Sequence, residues 1–181
     1  MENNKLKSKK GFTLFELVVV IGIISILSGI SFSYYNKYSE GKKLETEAKK
    51  MTDVLALASK KSSSGDLGDQ TNCSDFTGYQ INILSENQYV LQRCCGGELT
   101  CNAGQLTPVA TYNLPNNIII KSSPSNMLFK KLGNETIIDS DPSLSSTIIK
   151  MQNKSLSTKN CIDINMNKVG VIEIETRTDC S

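Results

Sequence analysis

Two sets of residues in this 181-residue chain have types and spacings that can do chemistry: a carboxylate, Glu16, inside an apolar run, and six cysteines, Cys73, Cys94, Cys95, Cys101, Cys161 and Cys180. A carboxylate among apolar neighbours is costly, so by default it marks a function, and the partner to name for it is a cation. Cysteines of even number either pair as disulfides or hold a metal. His is absent, which removes Ser-His-Asp and Cys-His catalysis, imidazole ligation and proton shuttling near neutral pH.

The cysteine gaps of 21, 1, 6, 60 and 19 residues do not match the paired short spacings of zinc sites, so no metal is expected. Disulfides in an oxidising compartment are expected instead. Six cysteines allow fifteen full pairings, and adjacent Cys94 and Cys95 must go to different partners. Asp66, Asp69 and Asp75 lack an EF-hand spacing and read as a solvated loop. Asn72-Cys73-Ser74, Asn134-Glu135-Thr136 and Asn153-Lys154-Ser155 match the glycosylation triplet, a short pattern with many false positives. No phosphate loop, dinucleotide fingerprint or nucleophile elbow is present, so neither an enzyme nor a cofactor is expected.

Glu16 is the sole formal charge in the 24 residues from Phe12 to Tyr35, a run long enough to cross a bilayer. The formal net charge is +2, but Lys5, Lys7, Lys9 and Lys10 against Glu2 carry more than all of it. Residues 12–181 hold 16 positive and 17 negative side chains, a net of −1. Basic flanks stay cytoplasmic, which predicts a single-pass chain with its N-terminus in the cytoplasm and its C-terminal bulk outside. A cleaved secretory signal fits poorly, because its apolar region is shorter and ends at small residues, whereas this run enters Tyr34, Tyr35 and Tyr38. A cut between Gly11 and Phe12 would create an α-amino group able to pair with Glu16 of a neighbouring subunit.

The string Lys9-Lys10-Gly11-Phe12-Thr13-Leu14-Phe15-Glu16-Leu17 resembles the prepilin processing site of type IV pilins and type II secretion pseudopilins. The resemblance implies cleavage after Gly11 by prepilin peptidase, N-methylation of Phe12 and an assembly role for Glu16. It covers about 30 residues and says little of the rest. Looser likenesses to H-type minor pseudopilins and FimT-like minor pilins lie in Gly78-Tyr79-Gln80-Ile81, Tyr89-Val90-Leu91, Leu114-Pro115 before Ile118-Ile119-Ile120, and Ile162-Asp163-Ile164. A Cys161–Cys180 bridge would resemble the C-terminal loop closure of many pilins. The family's major pilins often carry a proline within the first helix. None occurs here before Pro108, which tilts the reading toward a minor subunit.

These residues need elements to position them. Leu44, Ala48, Met51, Leu55 and Ala58 recur at steps of 4, 3, 4 and 3, which predicts that the helix continues past the membrane as an amphipathic half. Ser62-Ser63-Ser64-Gly65 should end it. Gly22, Ser25, Gly29 and Ser33 form a stripe of small side chains suited to close helix packing. Beyond residue 65, short apolar or alternating runs predict strands at 77–84, 88–94, 109–113, 117–121, 126–132, 146–152, 160–165 and 170–176, with Asn167 to Gly170 as the last hairpin turn.

The expected fold is α+β and type IV pilin-like, with a long N-terminal helix packed on an antiparallel sheet or sandwich. The expected segments are a leader at 1–11, a transmembrane helix at 12–35, an amphipathic half at 36–64 and a disulfide-containing β domain at 65–181. The expected partners are other pilin or pseudopilin subunits, prepilin peptidase, a membrane assembly platform and the bilayer. The expected function is a structural subunit, minor rather than major, of a pilus or of a secretion or DNA-uptake pseudopilus. The alternatives are a major pilin, or a filament-borne adhesion or DNA receptor using Lys121, Lys130, Lys131 and Lys150, with nucleic acid the weaker partner.

Overall fold

The computed structural model describes residues 11–68, 73, 75–96, 101–131 and 135–180, without the side chains of 30–33 and 103. The leader, apart from Gly11, therefore lies outside the described residues, as do Asp69, Asn72 and Asn134. The chain divides into two compact units, one up to Ser39 and the other from Glu40 to Ser181. A helix, α1 (Leu14–Ser64), runs through the boundary.

In the first unit every described side chain from Phe12 to Gly29 is exposed, including Leu17, Val18, Ile21 and Ile24. This half of α1 is long and apolar enough to cross a membrane.

In the second unit α1 buries one stripe. Leu44, Ala48, Met51, Leu55 and Ala58 are each fully buried, with Val54 beside them. These are the residues that the 3.6-residue period selects. The stripe extends one step further than its apolar members, to Ser62, which is also fully buried and whose hydroxyl accepts the Tyr79 N–H at 2.8 Å. The helix then stops as the hydroxyl-rich segment predicts. Gly65 takes φ 64°, its N–H donates to Ser62 O, and Asp66 N–H donates to Lys61 O. The two bonds make a Schellman cap, which satisfies carbonyls the last turn would leave open.

Among the described residues nine strands follow: β1 (Phe76–Ser85), β2 (Gln88–Cys95), β3 (Leu106–Asn113), β4 (Ile118–Ser122), β5 (Asn126–Lys130), β6 (Thr136–Ile138), β7 (Ser146–Asn153), β8 (Cys161–Asn167) and β9 (Ile172–Ile174). They form two antiparallel sheets, one in the order β3-β2-β1-β5-β6 and the other β4-β7-β8-β9. Both contribute to one core with the α1 stripe: Tyr79, Ile81, Leu91 and Phe129 from the first, and Ile118, Ile149, Met151 and Ile164 from the second. Period-2 alternation sends Cys94, Leu128 and Ile137 to a smaller cluster on the opposite face of the five-stranded sheet.

Eight of these strands overlap the expected runs, and β6 was not foreseen. The expected run 126–132 ends as a strand at Lys130, and 170–176 shortens to Ile172–Ile174. The hairpin turn forms at the expected place, with Gly170 N–H donating to Asn167 O and Gly170 at φ 84°. Gly78 has a different reason. A Cβ there would lie 1.9 Å from Phe129 O, so the close approach of β5 to β1 admits only glycine.

Candidate assembly site

The helix begins at Leu14 rather than Phe12, and the cause is local. Thr13 N–H and Thr13 Oγ1–H each donate to Glu16 Oε2 at 3.1 Å, while Glu16 N–H donates to Thr13 Oγ1 at 3.2 Å. This is a capping box: the N-cap hydroxyl and the carboxylate three residues on satisfy each other's backbone donors. Sequence reading passed over it, although Thr-x-x-Glu ahead of an apolar helix is its signature. Glu16 thus already has a task within its own chain, and its negative charge also complements the positive end of the helix dipole.

Gly11 and Phe12 precede the cap, are not helical, and are exposed, Phe12 by 89%. Cleavage of the bond between them would leave an amine at Phe12, one residue before the N-cap Thr13.

The described members of the small-residue stripe are exposed, like the rest of this half of the helix. A Cβ added at Gly22 or Gly29 would meet nothing within 4 Å, and the Ser25 hydroxyl is spent on its own helix, donating to Ile21 O at 2.8 Å. The Ser33 side chain lies outside the described residues.

At the start of the second unit the helix is clasped. Asn153, fully buried at the end of β7, donates from Nδ2 to both Glu40 O and Glu40 Oε2, each at 3.0 Å. Its Oδ1 accepts from Ser155 N–H at 2.9 Å, and Asn117 Nδ2 also donates to the Glu40 carboxylate. Lys43 pairs with Glu40 Oε1 at 2.5 Å. The Lys43 bond first, then those from Asn153, hold the Glu40 carboxyl below its usual range. One turn on, Arg177 Nε pairs with Glu45 at 3.0 Å, and its guanidinium covers Gly41, where a Cβ would sit 2.0 Å from Arg177 Nη1. Asn153 therefore does not serve as the glycosylation acceptor its triplet offered, because its amide is buried and fully engaged.

The cysteines pair as Cys73–Cys95, Cys94–Cys101 and Cys161–Cys180. The last joins the start of β8 to the C-terminal segment, which also bridges through mutual backbone bonds between Cys161 and Thr178. No group of metal-ligating side chains gathers among the described residues. Asp66 instead accepts from Lys61 at 2.5 Å and from Gly68 N–H at 2.9 Å, which hold its carboxyl below the ordinary range. Of the four lysines, Lys121 and Lys150 lie in the four-stranded sheet, Lys130 and Lys131 in or beside β5 of the other, and Lys150 faces Asp163 at 3.5 Å.

These features define a class: a chain with an exposed Gly11–Phe12 segment, an apolar helix half whose described side chains are exposed, and a helix-backed, disulfide-bonded β domain. Residues 6–32 match the family model described as the prokaryotic N-terminal methylation motif. Motif and fold together support a type IV pilin or pseudopilin subunit, and a prepilin-type motif generally implies prepilin peptidase and other pilin subunits as partners. No curated relative and no solved structure matches the chain.

Proposed function

We propose that this chain is a minor structural subunit of a type IV pilus or of a type II secretion or DNA-uptake pseudopilus. It waits in the cytoplasmic membrane as a single-pass protein with residues 1–11 inside. Prepilin peptidase cuts after Gly11, Phe12 is N-methylated, and an assembly platform draws the helix from the bilayer into a filament core. The observation that carries this reading is the pairing of the prepilin-type motif with an apolar helix half whose described side chains are exposed. Leaving lipid forfeits roughly 0.3 to 0.6 kcal/mol for each Leu, Ile, Val or Phe, and helix packing at Gly22, Ser25 and Gly29 with Glu16–amine pairing must offset that.

Two substitutions at Glu16 separate its tasks. Glu16→Gln keeps an acceptor for the Thr13 N–H but removes the charge, and Glu16→Ala removes both. Loss of the cap alone costs about 1 kcal/mol, roughly fivefold, whereas an amine left without its buried counter-charge costs about 3–5 kcal/mol. Both variants should be processed normally and both should lose co-purification with other subunits by about 100-fold or more. Normal recruitment of the Gln variant beside a defective Ala variant would show that capping, not charge, matters.

A further inference from the structure

We infer that this protein matures through a thiol–disulfide isomerase, because its two N-terminal bridges are interleaved around adjacent cysteines. In chain order the cysteines run 73, 94, 95, 101, yet the bonds are Cys73–Cys95 and Cys94–Cys101, so each loop traps one end of the other. The wrong isomer, Cys73–Cys94 with Cys95–Cys101, differs by a single residue. Before the sheet forms, loop closure cannot tell them apart: Cys73 is 22 residues from Cys95 and 21 from Cys94, while Cys101 is 7 from Cys94 and 6 from Cys95. Closure entropy varies only with the logarithm of loop length, so the first bridge from Cys73 goes to Cys94 about as often as to Cys95.

The folded sheet does distinguish them. Cys95 packs with Cys73 against the helix-facing core, and Cys94 is fully buried on the other face with Leu128 and Ile137, next to Cys101. To aim Cys94 at Cys73, β2 must slip by one residue, which turns Tyr89 and Leu91 out of the core and Val90 and Gln92 into it. A chain bridged the wrong way is thus barred from its native register, and once Cys161–Cys180 has also closed it holds no free thiol of its own to start an exchange.

An external thiolate solves this without an oxidant. It attacks Cys94 Sγ of the wrong bridge, forming a mixed disulfide and freeing the Cys73 thiolate. Cys73 attacks Cys95 Sγ, making the native bond and freeing the Cys101 thiolate. Cys101 attacks Cys94 Sγ of the mixed disulfide, making the second native bond and returning the catalyst's thiolate. Two disulfides exist before and after, so the partner is an isomerase distinct from the oxidase that first forms the bonds. In the cell this rests on the reading that the β domain lies in an oxidising compartment.

The test uses the full chain in detergent, reduced and unfolded, then oxidised by a stoichiometric disulfide oxidant with or without a purified thiol–disulfide isomerase, and mapped by non-reducing peptide analysis. Without isomerase, molecules carrying Cys73–Cys94 should be about as common as those carrying Cys73–Cys95, and isomerase should convert them. Cys94→Ser/Cys101→Ser should reach Cys73–Cys95 equally with and without it, and Cys161→Ser/Cys180→Ser should remain dependent. Should the first variant not fold, Cys73→Ser/Cys95→Ser removes the same choice and should show the same independence. Native bridges at full yield in wild type without isomerase, or continued dependence in the variants lacking one interleaved bridge, would overturn the inference. Six free thiols on the protein isolated from cells, with isomerase dependence intact in the purified reaction, would overturn the compartment reading instead.

Discussion

Replacing Asn153 with alanine should loosen the point at which the β domain grips α1. Asn153 Nδ2 donates to the Glu40 carboxylate and to the Glu40 carbonyl, and Oδ1 accepts from Ser155. A hydrogen bond to a charged group contributes about 1.5–3 kcal/mol and a neutral one about 1. Glu40 keeps Lys43 and Asn117, and the Ser155 amide can turn to water, so the expected loss is about 3 kcal/mol rather than the full sum. For a domain of this size that lowers the melting temperature by about 10 °C. Asn153→Asp should be worse at pH 7, because it sets a second carboxylate 3.0 Å from that of Glu40, whose side chain is only 22% exposed. Its deficit should shrink below about pH 5, where one of the two acids takes a proton. The assay is urea unfolding of the soluble fragment 37–181 with its disulfides intact, at both pH values. An alanine variant within about 0.5 kcal/mol of wild type, or an aspartate variant as stable as wild type, would refute the clasp.

Gly78→Ala should destabilise the same fragment by about 3 kcal/mol, because a Cβ 1.9 Å from Phe129 O must push β5 off β1; chemical denaturation reads it, and a neutral result would mean the strands part freely. Removing the last bridge with Cys161→Ser/Cys180→Ser opens a loop with a sequence separation of 19 and should cost about 3 kcal/mol on the chain-entropy account, with earlier proteolysis of the C-terminal segment as a second readout. Glu40 is held below its ordinary carboxyl value by Lys43 first and Asn153 next, so its contribution is fully present above the unfolded value and is lost as pH falls through the folded one. Wild-type stability should therefore decline from about pH 5 downward, and Glu40→Gln should flatten that decline in a pH series of unfolding curves.

The helix stripe and most strands were legible because they depend on period: steps of 4 and 3 select the side of α1 that is buried, and alternating runs mark eight strands. Strand order was not. β4 follows β3 in the chain but pairs with β7, and β5 pairs with β1, choices set by which faces close one core and not by local spacing. β6 escaped because it is three residues long and buried throughout, leaving no alternation, and is ended by Asp139 and Ser140 at positive φ rather than by glycine. At the N-terminus the processing string is legible residue by residue, while the capping role of Glu16 is masked by its place in an apolar run and shows only when Thr13, three residues before it, is paired with it. The burial of Asn153 had no local signal, since its triplet looks the same in any loop.

The Cys73–Cys95 bond also has a meaning for force. When α1 is pulled, the load leaves the helix at Gly65 and would otherwise reach the sheet through Phe76, the first residue of β1. The bridge diverts it three residues earlier into β2, the strand between β1 and β3. The pull is thereby divided between β1 and β2, each hydrogen-bonded to two neighbouring strands, and β1 does not carry it alone.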